Sequence, residues 1–301
     1  MKLIKRFNNP ILFKELRQRM RSHKAVLDLV LYLSVLGGMV LTFIYLMTGN
    51  QSYFNPWQTR EIFLMLTIFQ FAMISFVTPG LTAGMISGER ERQTLNLLLT
   101  TNSSATKIII GKWLSSLSFM VFLVLSSIPL YAIVFLYGGI SPAQLVKVFA
   151  FYLVSMLALG SFGIMFSSIF KRTGVATVMT YGVIFTYTAL TLIGAQLLQT
   201  WHYQQLHQAG GGTSASGHRI TLWIDFLYSI NPITATFHIF NQGPVSHYSP
   251  SAGQASLPLD PYWIYFLFFG SITLIALCLA VYFLKPVRPR LIRLGFRRKE
   301  A

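Results

Sequence analysis

A chain of 301 residues that is 53% hydrophobic and only 11% charged cannot coat a soluble globule of its size with polar surface, so it belongs in a bilayer. Its net charge of +16, from 24 basic and 8 acidic residues, would suit nucleic acid if it formed a patch, but the basic residues sit at the ends of apolar runs, which excludes that class. The single Cys278 excludes a disulfide framework and a cysteine metal cage.

The hydrocarbon core is about 30 Å thick and takes about 20 apolar residues per helical crossing. About six such runs are present: Ala25 to Met47, Ile62 to Ile86, Trp113 to Tyr137, Leu145 to Phe170, Val175 to Leu198 and Tyr262 to Leu284. Ahead of them, residues 1–24 open with Asn9-Pro10, a cap followed by a proline at the first helical position. Leu12, Phe13, Leu16 and Met20 share one face there, and Lys14, Arg17, Arg21 and Lys24 the other. The expectation is an amphipathic elbow helix lying against anionic headgroups. A cleavable signal is not expected, because this basic segment precedes an apolar run too long for a signal core. Asp28, one turn beyond Lys24, reads as a snorkelling ion pair.

The second run carries Pro79 and a glycine row at Gly80, Gly84 and Gly88. Glycines four apart share a face and let another helix approach closely, while the proline frees a backbone carbonyl and invites a hinge. Directly after it comes Ser87 to Thr101, which sets Glu89, Arg90, Glu91 and Arg92 together and continues into Thr94, Leu95, Leu97, Leu98 and Leu99. A turn between spans needs less than this, so a short amphipathic helix able to dock on a partner is expected.

Asn102 or Ser103 then caps a helix running from about Ala105 to Tyr137, nearly 50 Å by rise per residue. Its first turns, with Lys107 and Lys112, should project into headgroups or cytosol, and Pro129 is a second kink candidate. Gly138-Gly139 ends it and Ser141-Pro142 starts the next helix. Lys171-Arg172-Thr173-Gly174 reads as a tight turn that anchors topology.

Residues 199–261 form the largest extramembrane stretch. The first part, through Gly210 to Gly217, has loop composition. Leu222 to Phe240 is apolar but interrupted by Asp225, Asn231, Pro232 and His238, which favours a re-entrant or interfacial helical hairpin broken near Asn231-Pro232 over a seventh span. His202, His207, His218, His238 and His247 fit no ligand spacing and are expected to be exposed loop residues. The basic tail 285–301 closes the chain. With six spans the basic clusters fall on one side and only Arg60, Lys147 and Arg219 on the other, which puts both termini in the cytosol.

The segment after the second run resembles the Glu-Arg-Glu-x-x-Thr-Leu-Glu-x-Leu-Leu-x-Thr-Pro signature of ABC transporter permeases of the type-2 exporter class. Glu89, Arg90, Glu91, Thr94, Leu95, Leu98 and Thr101 match, whereas Asn96 and Asn102 depart from it. The Asn-Pro-Ile-Leu-x-Lys-Glu-Leu-Arg string from Asn9 is similar to the start of many such permeases. The resemblance implies an all-α integral membrane protein with an elbow helix, about six spans and an outer re-entrant segment. It implies that residues 87–106 hold a coupling helix seated in a groove of a partner ATPase, with Glu89, Arg90, Glu91 and Arg92 making salt-bridged contacts and Leu95, Leu97 and Leu98 filling the groove. It further implies a bacterial cell-membrane location, two ATPase subunits that bind ATP and Mg, and a second permease copy or sister permease.

The chemistry missing from the chain agrees. No ionisable residue stands at the centre of a run, so an ion-coupled carrier lacks its usual proton or cation site. No Gly-x-x-x-x-Gly-Lys-Ser/Thr loop is present, since Gly111-Lys112 is followed by Trp113, so ATP hydrolysis must lie on another chain. His-Glu-x-x-His and clustered aspartates are also absent, and the serine of Gly160-Ser161-Phe162-Gly163 has no plausible base beside it, so no catalytic residue and no metal site is expected. The alternatives are a membrane sensor or scaffold coupled to an ATPase without cargo, or an ion-coupled carrier.

Overall fold

A computed structural model describes residues 23–48, 56–95, 104–136, 138–208, 215–240 and 259–284. The elbow segment, Leu97 and Leu98, and the basic tail lie outside them. Among the described residues the fold is helical with no strand: α1 His23–Thr48, α2 Pro56–Thr82, α3 Ser87–Glu91, α4 Ala105–Ser126, α5 Ile128–Leu136, α6 Pro142–Ile169, α7 Thr173–Gln208, α8 Ala215–Ile230, α9 Pro232–Ile239 and α10 Pro261–Leu284. Six stretches are long and apolar enough to cross a membrane, beginning at Ala25, Thr59, Ala105, Pro142, Thr173 and Pro261. The protein is an all-α, multi-pass membrane protein.

α6 is the central span. It starts with a reciprocal capping box, Ser141 with Gln144, and Pro142 in the first turn. It packs on α10, α2, α7 and α4, and so is buried on several sides. Without a hydrophobic effect between spans in lipid, packing and interhelical hydrogen bonds must hold such a bundle. Tyr131 and Tyr152 meet at 2.7 Å, Tyr152 donates to the Thr67 carbonyl, and Ser155 meets Tyr265 at 2.9 Å. Around them Phe63, Phe71, Phe151 and Phe269 complete an aromatic core.

The third span breaks two residues before Pro129, at Ser127, where α4 gives way to α5. The Ser127 hydroxyl bonds the Val124 carbonyl and Gln70 of α2, so the polar groups released by the break are met inside the bundle. Its start is also shifted: Ser104, not Asn102 or Ser103, is the cap.

α7 runs to Gln208, well past the expected end of its span near Leu198, because nothing breaks the helix before Gly210. Beside its far half lies α8, joined to α9 at Asn231. The Asn231 carboxamide oxygen caps α9 through the N–H groups of Ile233 and Thr234, and its amide donates to the Thr188 carbonyl and Thr191 hydroxyl of α7. Tyr187 donates to the Ile230 carbonyl at the end of α8. A helix break is tolerated at membrane depth only when its backbone groups are satisfied by protein, and here they are. Thr188 and Thr191 lie midway along Thr173–Gln205, the stretch of α7 long and apolar enough to cross a membrane.

Two of the histidines contradict the expectation of exposed loop residues. His202 is buried on the extended α7, and His238 is half-buried in α9, where burial pushes its pKa down to about 4. The extra turns of α7 and the folded hairpin bring them inside. Among the described residues no group of His, Cys, Asp and Glu could hold a metal.

Candidate functional site

Between α2 and α3 the helix is interrupted from Ala83 to Ile86. The interruption lies beyond Pro79, which remains inside α2. Its cause is Ser167 of α6, whose hydroxyl accepts from the N–H groups of both Ile86 and Ser87 at 2.9 Å and so replaces two bonds of the helical ladder. The Ser87 hydroxyl takes up the Ala83 carbonyl left over. Such close docking needs small residues. A Cβ on Gly163 would collide with the Thr82 hydroxyl and come within 3.2 Å of the Ala83 nitrogen, and one on Gly160 would come 2.9 Å from Leu117. The glycines around Ser161 therefore serve helix packing.

Gly80, Gly84 and Gly88 face α7. A Cβ on Gly80 would stand 3.1 Å from the Tyr181 hydroxyl, one on Gly84 3.0 Å from Thr173 and one on Gly88 4.0 Å from Thr173. Tyr181 also donates to the Phe76 carbonyl, one turn from Pro79.

From α3 three charged side chains reach three different spans. Glu89 pairs with Lys112 of α4 at 2.6 Å. Lys112 is 4% exposed, contrary to the expectation that it projects outward, and Glu89 of α3 meets it where it is buried. Arg90 donates to the carbonyls of Ser168 at 3.0 Å and Phe170 at 3.2 Å, the unpaired carbonyl end of α6, where a cation also complements the helix dipole. Glu91 accepts from the backbone N–H of Thr173 at 2.7 Å and from its hydroxyl, capping the N-terminus of α7 from another element. In the sequence Lys112 and Thr173 read as a projecting cation and as part of a topological turn, and nothing marked Ser167; only the scarcity of charge in α3 pointed here.

The segment does not continue as one helix. Gln93 takes the left-handed conformation at φ 58, its N–H bonds the Arg90 carbonyl and that of Thr94 bonds the Glu89 carbonyl, a Schellman turn that stops α3 after Glu91. Arg92, Gln93 and Thr94 are thereby exposed. Leu95 is 6% exposed and packs with Ile86, Ile108, Ile109 and Ile164 in this chain's own core.

The sequence matches the family described as ABC-2 family transporter protein over residues 10–287. The chain belongs to the ABC-2 transporter family. As a member of that family it is the membrane component of an ABC transporter and a non-catalytic subunit. No curated protein matches the chain.

Proposed function

We propose that this ABC-2 permease is the membrane half of an ATP-driven exporter, moved by two separate ATPase subunits that dock on the exposed turn Arg92–Thr94 and the residues after it. The α3 end is the cytosolic end, in keeping with the basic residues gathered there. ATP and Mg reside on the ATPase, and a second permease, identical or a sister, completes the path. The observation that carries this reading is the division of labour within one short segment. Glu89, Arg90 and Glu91 are tied to α4, α6 and α7, while Arg92, Gln93 and Thr94 are exposed and make no bond to a span among the described residues. A push on the exposed turn is delivered to three spans at once, and Ala83 to Ile86 provides the joint about which α3 tilts.

Co-reconstitution with a candidate ABC ATPase subunit from the same genome tests the proposal. Arg92→Glu is expected to weaken ATPase binding at least tenfold with an unchanged melting temperature. Lys112→Met combined with Glu89→Gln, which unties α3 from α4 without stranding a charge, is expected to leave binding within about twofold and to abolish stimulation of ATP hydrolysis on assembly. Wild-type binding and coupling in Arg92→Glu would remove the docking assignment.

A further inference from the structure

The third span is built from two helices that are fastened to different parts of the bundle. α4 is held near its start by the pair of Lys112 with Glu89 of α3. α5 is held by the Tyr131 hydroxyl, 2.7 Å from that of Tyr152 on α6, and by the Phe63 ring of α2 at 5.1 Å between centroids. Between the two helices the ladder is broken. Pro129 has no N–H to give the Leu125 carbonyl, the Ser127 N–H closes α4 on the Val124 carbonyl at 3.2 Å, and the Ser127 carbonyl opens α5 by accepting from the N–H groups of Leu130 and Tyr131 at 3.0 and 3.3 Å. Ser127 is the single residue that links the two ladders.

The side-chain contacts at that residue outnumber its protons. Ser127 and Gln70 of α2 are both fully buried. The Ser127 hydroxyl lies 2.7 Å from the Val124 carbonyl and 3.2 Å from Gln70 Oε1, two acceptors, while Gln70 Nε2 donates to it at 2.9 Å. A hydroxyl carries one proton, so it serves one of these acceptors at a time. Donation to Val124 seals the end of α4 on itself; donation to Gln70 releases that carbonyl and fastens Ser127 to α2. Two discrete arrangements at one break are what a two-state element requires, and in lipid such interhelical bonds carry weight because no hydrophobic effect holds the spans together. We propose that Ser127 is a joint at which α4 turns independently of α5, and that Gln70 is the positioning residue that restricts the joint to two arrangements. Motion imposed on α4 through α3 then ends at Ser127, and α5 stays with the aromatic core. The joint is a property of this chain alone and holds whether or not an ATPase docks at α3.

The test measures distances between nitroxide labels by pulsed electron resonance in the reconstituted permease without ATPase, in a Cys278→Ala background. Ile110→Cys on α4 and Ile133→Cys on α5, both exposed, stand about 35 Å apart by helical rise and report across the joint. Two control pairs report within each arm: Ile110→Cys with Phe122→Cys on α4, and Ile133→Cys with Leu153→Cys, which joins α5 to α6. The pair across the joint is expected to give two distance components, the minor one about 10% of molecules, and each control pair one. Gln70→Leu and Ser127→Ala, both of which leave Pro129 in place, should each abolish the two-component pattern while the control pairs keep their single distance. One component across the joint in the unaltered sequence, two that persist in either variant, or a split that also appears in a control pair would overturn the proposal.

Discussion

Lys112 shows how burial changes the meaning of a charge. In the sequence it is one more basic residue near a span end; in the fold it is covered and held by Glu89, whose second carboxylate oxygen has no partner among the described residues. Removing one member of such a pair strands the other and typically costs about 3–5 kcal/mol, whereas replacing both by apolar or neutral groups costs far less. Lys112→Met should therefore lower thermal stability sharply, and Lys112→Met with Glu89→Gln should recover most of it, as measured by a double-mutant cycle on the detergent-purified permease. Asp225 behaves differently. It is buried on α8, about 9 Å outward of the Asn231 break by helical rise, and desolvation pushes its pKa up to about 6. A raised carboxyl pKa means the folded state holds the proton longer than the unfolded chain, so stability falls as pH rises from about 4 to 6. Asp225→Asn should raise the melting temperature at pH 7, by an amount worth on the order of 1 kcal/mol, and make no difference at pH 4; an equal shift at both values would assign the effect to packing.

At the scale of elements, glycine spacing told more than proline. Pro79 stays within α2, and the joint forms beyond it at Ala83 to Ile86, because Ser167 supplies an oxygen where the ladder would otherwise continue. That contact exists only if α2 can reach the α6 backbone, which Gly160 and Gly163 permit. Gly163→Ala should cost about 1–3 kcal/mol through overpacking, and adding Thr82→Ala should return part of it by removing the hydroxyl that the new methyl would meet. Denaturation of both variants checks this. The helix α3 itself was legible as a charged insertion between spans, but its length was not. Gln93 in the left-handed region gives no sequence sign, since glycine is the residue usually found there, and the turn it makes decides that Leu95 faces inward while Arg92 faces out.

For the whole molecule, span number, helical class and family follow from apolar run length and one motif, and the fold adds which spans are tied together. α4, α6 and α7 are bound to α3, while the hairpin of α8 and α9 is anchored to α7 at Asn231. Sidedness supplies a direct check. In a Cys278→Ala background, Thr94→Cys should react with a membrane-impermeant maleimide in inside-out vesicles and not in intact cells; the reverse pattern would invert the topology and with it the docking of an ATPase.

The sequence by itself determined that the chain is an all-α membrane protein of about six spans, because hydrophobic run length and charge placement are local properties that a bilayer reads directly. It also marked the Glu89 to Thr94 segment, since charge is rare in such a chain and its position is conspicuous. Only the tertiary structure decided what those charges hold. Pairing of Glu89 with Lys112, of Arg90 with the end of α6 and of Glu91 with the start of α7 joins residues some twenty to eighty positions apart, and no local pattern encodes a bond whose two halves meet only after the helices have packed.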